Sequence, residues 1–144
     1  MYLEQLQVRN VRAITKANLR FSSTLNLFTG ANGSGKTSLL ESIYLLGVGR
    51  SFRTNQIKRV INSNNEELTV FGKLSSPTND SLGISRNRTG NFKVRINSID
   101  QNKLSSLAHY LPVLVITPDS YKLITSGPQH RRQFLDFSVF HVEH

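Results

Sequence analysis

The residues best placed to do chemistry in this 144-residue chain form a glycine-rich run from Gly30 to Thr37. Their spacing matches the phosphate-binding loop pattern of Gly, any four residues, Gly-Lys, then Ser or Thr. The glycines let main-chain N–H groups surround an anion. We expect Lys36 to contact the β- and γ-phosphates of a nucleotide, and the Thr37 hydroxyl to bind Mg²⁺. The predicted binding residues are Gly30, Ala31, Asn32, Gly33, Ser34, Gly35, Lys36, Thr37 and Ser38.

The flanks of this loop fit the strand–loop–helix context that it needs. Residues 25–28, with Leu25, Leu27 and Phe28, predict a short apolar strand before it. A helix is predicted behind it, beginning near Lys36 and ending at Gly47 or Gly49, from the apolar residues Leu39, Leu40, Ile43 and Leu46. A turn that only joined strand to helix would require neither Lys36 nor Thr37.

Composition indicates a cytoplasmic, single-domain protein. The chain has no cysteine, no apolar run long enough to span a membrane and no leader-like start. It carries 18 Lys and Arg against nine Asp and Glu, a net charge of +9. Nucleotide binding needs only one or two cations, so the surplus favours nucleic acid as a partner, provided that the fold gathers the basic residues on one face.

The rest of the chain predicts further strands and helices. Strands are expected at 2–8 and 17–21 and as close-spaced antiparallel hairpins at 68–74, 81–86 and 92–96, with a turn at 97–101. A short helical piece is expected at 55–61 and a helix at 103–111. Residues 113–116 predict a buried central strand, and Gly127-Pro128 predicts the start of a last helix.

Other candidate sites are weak. Asp119 is the best available acidic Mg²⁺ ligand, but it lies three residues after the end of the apolar run and beyond a proline. Residues 126–129, Ser-Gly-Pro-Gln, resemble a transporter-type signature, but Pro128 lacks a needed N–H. The four scattered histidines predict no metal site, and no catalytic triad stands out.

Taken together, several segments resemble the N-terminal part of the bacterial RecF family, DNA replication and repair proteins among the ABC/SMC-like ATPases. They are residues 25–37, GRSFR at 49–53, KVRI at 93–96, ITP at 116–118 and GPQHRRQFLD at 127–136. The resemblance implies an α/β fold: the N-terminal part of a P-loop NTPase (ABC/SMC-like head) core with an antiparallel β-subdomain. The core is expected at 1–50 and 111–144, and the β-rich part at about 67–97.

The resemblance also implies a function. It predicts ATP and Mg²⁺ as cofactors, and ATP-dependent binding to DNA at gaps and single-strand/double-strand junctions in replication and SOS-linked recombinational repair. RecO and RecR are the implied partners in loading RecA, and the full-length protein is an ATP-dependent homodimer and weak ATPase. The family's Walker B acid and signature loop lie beyond this sequence, so we expect a fragment that binds ATP weakly and does not hydrolyse it appreciably.

One further residue transfers from the family, and two alternatives stay open. Arg12 matches a family arginine near the nucleotide, although Val11 and Ala13 depart from its neighbours; it is equally readable as a surface residue. The first alternative function is a nucleic-acid-binding module whose phosphate loop is only structural. The second is another P-loop nucleotide-binding protein such as a small nucleotide kinase, for which no lid is recognisable.

Overall fold

A computed structural model describes residues 1–118 and residue 132 of the chain. The chain divides into two compact units, Met1–Val113 and Leu114–His144. The strands and helices described below all belong to the first unit. Of the second unit, the description covers residues 114–118 and the helical, exposed Arg132.

The described part of the first unit contains six strands and two α-helices. The strands pair antiparallel in one sheet with the order β2-β1-β3-β4-β5-β6. A 3₁₀ turn covers Ile57–Arg59. The strands and helices are β1 (Tyr2–Val11), β2 (Ile14–Arg20), α1 (Lys36–Val48), β3 (Glu67–Ser75), β4 (Ser81–Asn87), β5 (Phe92–Ile96), β6 (Ile99–Gln101) and α2 (Ser106–Tyr110).

The hydrophobic core lies between α1 and one face of this sheet. Along β1, β3, β4 and β5, apolar residues alternate with polar ones, so that each strand turns one face inward. Helix α1 packs so closely on β3 that a Cβ at Gly72 would lie 2.5 Å from Leu46 Cδ2. The fully buried side chains that fill this layer are Leu6, Val8, Val11, Leu45, Leu46, Val60, Leu68, Val70, Leu82 and Leu107.

Most of the predicted strands and the helix end are confirmed. The three hairpin strands are present, and β1 and β2 cover the two N-terminal predictions with slightly different bounds. Gly49 caps α1 with φ 77°, and its N–H donates to the Leu45 carbonyl at 2.8 Å. The pairing of β1 with β3 aligns Val8 with Val70. It joins a strand of the predicted core, residues 1–50, and a strand of the predicted β-rich part, about 67–97, into one sheet.

The predicted strand at 25–28 is wrong. The Ser22 N–H donates to Asn26 Oδ1 and the Ser22 hydroxyl donates to the Leu25 carbonyl, both at 2.9 Å, so these local hydrogen bonds replace a ladder. Leu25 and Leu27 are 83% and 80% exposed. Phe28 alone turns inward, where its ring meets the edge of Phe21.

Two further expectations need correction. Residues 113–116 have no ladder partner in the described part of the chain, and Leu114 and Ile116 are 56% and 82% exposed instead of buried. The predicted turn at 97–101 contains strand β6, which pairs with β5 after a turn at Asn97 and Ser98. An apolar run forms a strand only when a partner strand is available.

Helix α2 and the 3₁₀ turn are shorter than the helices predicted at 103–111 and 55–61. The α1 prediction was also imperfect: Leu40 is 46% exposed, whereas Leu45 is fully buried. The expected helix after Gly127 and the candidate Asp119 lie outside the described residues. No helix in the described ranges is long and apolar enough to cross a membrane.

Gly47 provides a test of the packing around α1. In a helix interior, alanine is more favourable than glycine by about 1 kcal/mol. A Cβ at position 47, however, would lie 2.6 Å from both the Leu111 carbonyl oxygen and Val113 Cγ2, and such overpacking costs about 1–3 kcal/mol. The two effects together predict that Gly47→Ala lowers the free energy of unfolding by up to about 2 kcal/mol in urea titrations.

The matched control is Gly83→Ala. Gly83 lies in strand β4, has no positive φ, and an added Cβ there would meet no atom closer than 3.8 Å. It should change the free energy of unfolding by less than about 0.5 kcal/mol. A stabilised Gly47→Ala variant would contradict the packing described for α1.

Candidate nucleotide-binding site

The phosphate loop takes its shape from three glycines in the left-handed region. Gly30, Gly33 and Gly35 have φ of 148°, 82° and 93°, conformations that residues with a Cβ rarely adopt. The Ser34 N–H donates to the Ala31 carbonyl at 3.2 Å, which closes a tight turn within the loop. A Cβ at Gly33 would meet no atom within 4 Å, so the loop is open at its tip.

Helix α1 begins inside this loop, and no side chain of the described residues caps its start. Gly35 is the N-cap residue, no side chain bonds to the first N–H groups, and the first turn contains no acidic residue. These N–H groups and the positive end of the helix dipole therefore lack a negative partner in the described residues, an arrangement that binds anions.

The Lys36 ammonium lies across the loop. Its Nζ donates to the Gly30 carbonyl at 2.7 Å and to the Ala31 carbonyl at 2.8 Å. An ammonium has three N–H donors, so these two bonds leave one for an anion and hold the positive charge at the rim of the loop.

A pocket of about 300 Å³ lies over the loop and the start of α1. The structure brings seven of the predicted residues together in its lining, and it adds one that the phosphate-loop pattern does not include, Arg53. The lining residues are Asn32, Gly33, Ser34, Gly35, Lys36, Thr37, Ser38 and Arg53. Gly30 and Ala31 do not line the pocket but supply the carbonyls that hold Lys36.

Arg53 reaches the pocket because a buried carboxylate anchors the segment before it. Glu41, on α1, has no solvent exposure and accepts a short hydrogen bond from the Ser51 hydroxyl. Ser51 Oγ in turn accepts the N–H groups of Arg53 at 2.9 Å and Thr54 at 3.2 Å. Arg53 Nη1 lies 3.7 Å from Glu41 Oε2, and its side chain is 45% exposed, so most of its donors stay available to a ligand.

A second anchor acts on the same segment. The ring of Phe52 meets Tyr44 of α1 edge to face, with centroids 5.5 Å apart. Ser51 and Phe52 thus both attach to α1, immediately before the arginine that lines the pocket. The clue in the sequence was a serine two residues before an arginine, next to an aromatic residue, which by itself does not identify a binding site.

Arg12 forms its side-chain hydrogen bonds with Glu41 and with the Arg59 carbonyl. Its Nε and Nη2 donate to the two oxygens of Glu41 at 2.9 and 2.8 Å, and its Nη1 donates to the Arg59 carbonyl. Its backbone is left-handed, with φ 53°, and is held by bonds from the Arg12 N–H to the Val60 carbonyl and from Asn62 Nδ2 to the Arg12 carbonyl. The structure therefore directs Arg12 to Glu41 and does not place it in the pocket lining.

Comparison with known proteins identifies the family. The family model described as "RecF/RecN/SMC N terminal domain" matches residues 2–121. The chain belongs to this RecF/RecN/SMC N-terminal domain family. It is 46% identical over 144 residues to the DNA replication and repair protein RecF of Shewanella piezotolerans, covering 99% of this chain and 40% of that protein. The chain thus spans about 40% of the length of the curated RecF relatives it matches.

Solved structures agree with the fold. The structure of the recombination mediator protein RecF-ATP superposes with a TM-score of 0.86 at 28% identity, covering 96% of this chain and 38% of that one. The Smc head domain of Pyrococcus furiosus superposes with a TM-score of 0.75 at 20% identity, covering 94% and 41%. The predicted fold class, the head of a P-loop NTPase of the SMC type, is confirmed.

The remaining candidate positions considered from the sequence lie mostly outside the described residues. Asp119 and residues 126–129 lie among the residues that the structure does not describe, as do three of the four histidines. Among residues 1–118 and Arg132, no cluster of three or more His, Asp or Glu could hold a metal ion.

The Arg12–Glu41 pair is testable by a double-mutant cycle. Arg12→Met leaves a fully buried carboxylate without its main counter-charge, which costs about 3–5 kcal/mol of unfolding free energy. Arg12→Met combined with Glu41→Leu removes both charges, so we predict that it recovers at least about 1 kcal/mol of that loss. Urea unfolding monitored by circular dichroism measures both. A loss below about 1 kcal/mol for Arg12→Met, or no recovery in the double variant, would contradict the assigned pairing.

Proposed function

We propose that this chain binds ATP with Mg²⁺ in the pocket over residues 30–38. The observation that carries the proposal is the uncapped start of α1, which lies in one pocket with two cations, Lys36 and Arg53. Main-chain N–H groups, an ammonium and a guanidinium are the donors that polyphosphates accept from proteins. The similarity to a RecF-ATP structure supports ATP as the nucleotide.

Each residue has a role that its position allows. Lys36 contacts the β- and γ-phosphates, the Thr37 hydroxyl binds Mg²⁺, and Ser38 supports an α-phosphate oxygen. Arg53 supplies a second positive charge to the polyphosphate. Arg12 acts through Glu41 and not through the nucleotide. These groups hold the negatively charged phosphates of ATP in place. We assign no role in ATP hydrolysis to the residues of this chain.

We further propose a role for the protein in DNA replication and recombinational repair. The curated relatives are named DNA replication and repair protein RecF, and the similar solved structure concerns a recombination mediator in the RecFOR pathway. Within this role we propose binding to DNA at gaps and junctions, an ATP-dependent homodimer, and partnership with RecO and RecR in loading RecA. An SOS-linked, cytoplasmic setting belongs to the same proposal.

One observation favours the alternative, a nucleic-acid-binding module whose loop is only structural. The Lys36 ammonium is bonded to two carbonyls of its own loop, which is the contact that a purely structural lysine would make. The two proposals differ in what Lys36→Ala does to nucleotide affinity, so a binding titration separates them.

We predict that Lys36→Ala weakens binding of Mg·ATP at least tenfold in isothermal titration calorimetry. The reason is the loss of one charge-assisted contact, which is worth about 1.5–3 kcal/mol. Lys58→Ala, which removes an exposed lysine outside the pocket lining, is the control and should bind like the original chain. Equal affinity of the Lys36→Ala variant and the original chain would favour the structural loop.

Arg53 gives a second, independent prediction with a closely matched control. Arg53→Ala should weaken Mg·ATP binding by about tenfold, as expected for removal of one cation from a polyphosphate site. Arg50→Ala removes an exposed arginine three residues earlier that does not line the pocket, and it should leave the affinity unchanged. If the two variants bind ATP equally well, Arg53 is not part of the site. Thermal unfolding of both variants serves as the folding control.

A further inference from the structure

The outer face of the sheet, which lies opposite α1, carries an unusual concentration of positive charge. Alternation along the strands places the apolar residues on the α1 side and the polar ones outward. Six exposed basic side chains belong to this face: Arg9, Lys16, Arg20, Lys73, Lys93 and Arg95. Two carboxylates of the described strands share this face, Glu67 and Asp100, and the exposed Glu4 lies at the bulge of β1 between Leu3 and Gln5.

Most of these cations have no ion-pair partner. In the described residues, Arg95 pairs with Asp100 and the other five basic side chains form no salt bridge. Arg9 and Lys16 stand directly opposite each other on β1 and β2. Like charges at such a cross-strand position destabilise a sheet unless an anion lies between them. The face therefore retains a local repulsion that a bound polyanion would relieve.

The register arranges five of the six cations in two rows across the strands, and Arg95 lies between the rows, opposite Gly83. One row contains Arg20 and Lys73, which flank Gln5; the other contains Lys16 and Arg9 and continues to Lys93. The rows are four residues apart along each strand, which is roughly 13 Å at the usual rise per residue. This spacing is close to the width of the major groove of B-DNA, about 12 Å.

The positions between the rows are mostly polar or small. They are Asn18, Gln7, Phe71 and Gly83, followed by Arg95 and Asp100, which form an ion pair. Single-stranded nucleic acid is held by successive bases stacked on aromatic side chains. Among these middle positions Phe71 is the one aromatic residue, and it is half-buried. This mostly polar and cationic surface suits phosphates better than unstacked bases.

We propose that the outer face of the sheet binds duplex DNA through its phosphates, with the two cationic rows contacting the two strands on either side of a groove. This inference rests on the proposed DNA-binding function and names the surface that performs it. The face lies on the opposite side of the sheet from α1, whose first turn forms the nucleotide pocket. The two polyanions therefore occupy different surfaces of the first unit.

The test compares two double variants that remove the same charge from the full 144-residue chain. Lys16→Gln with Lys73→Gln takes one lysine from each row. Lys58→Gln with Lys103→Gln takes two exposed lysines that lie outside the six strands. Fluorescence anisotropy with a labelled 20-base-pair duplex measures affinity from 50 to 200 mM NaCl, and thermal unfolding verifies that each variant is folded.

We predict that the original chain and the Lys58/Lys103 variant share one steep salt dependence. The Lys16/Lys73 variant should show a slope of log K against log salt that is smaller by about 2, because two phosphate contacts are lost. The original chain should accordingly lose about tenfold more affinity than this variant between the two salt concentrations. Lys93→Gln, a single change in the second row, should reduce the slope by about 1.

Two outcomes would overturn the inference while leaving DNA binding intact. One is equal affinity and slope for the two double variants, which would place the contacts elsewhere. The other is tighter binding of a single-stranded 20-mer, lost in the Lys16/Lys73 variant, which would make the occupant single-stranded. Absent or salt-independent binding of duplex DNA by the original chain would overturn the proposed DNA-binding function itself.

Discussion

A single carboxylate without solvent exposure, Glu41, holds together the parts of this structure that lie near the nucleotide pocket. Arg12 of the turn between β1 and β2 donates to both of its oxygens, and Ser51 of the segment after α1 donates a third bond. Burial of one charge is costly unless it is paired and hydrogen-bonded. The turn before β2, helix α1 and the segment that follows α1 must therefore come together in one arrangement, which in turn sets the position of Arg53.

The phosphate loop depends on this arrangement less than its surroundings do. Its shape follows from glycines with positive φ and from bonds within eight consecutive residues, including those of Lys36 to Gly30 and Ala31. A local sequence pattern can specify such a loop because every interaction in it is local. Arg53, the second cation of the pocket, is positioned through the buried Glu41, whose ion-pair partner Arg12 lies far away in sequence. No local pattern therefore predicts the position of Arg53.

The same distinction explains which elements could be predicted from sequence. Strands β3, β4 and β5 follow one another with short turns, and their alternation and turn residues were sufficient. The pairing of β1 with β3 crosses more than fifty residues, and nothing local encodes it. Residues 25–28 and 113–116 have strand-like composition but lack a ladder partner in the described chain, because a strand is a property of pairs.

The position of the basic residues on the fold could not be predicted from the sequence either. The net charge of +9 indicates an anionic partner but says nothing about where the partner binds, since the basic residues are dispersed along the chain. Register converts that dispersion into a pattern: Lys16 and Lys73 are 57 positions apart in sequence, yet both lie on one face of one sheet. Arg12 and Arg53 are drawn instead to Glu41. The fold thus divides these cations between two sites, one built around a buried carboxylate and the other where most of the cations form no ion pair with the described residues.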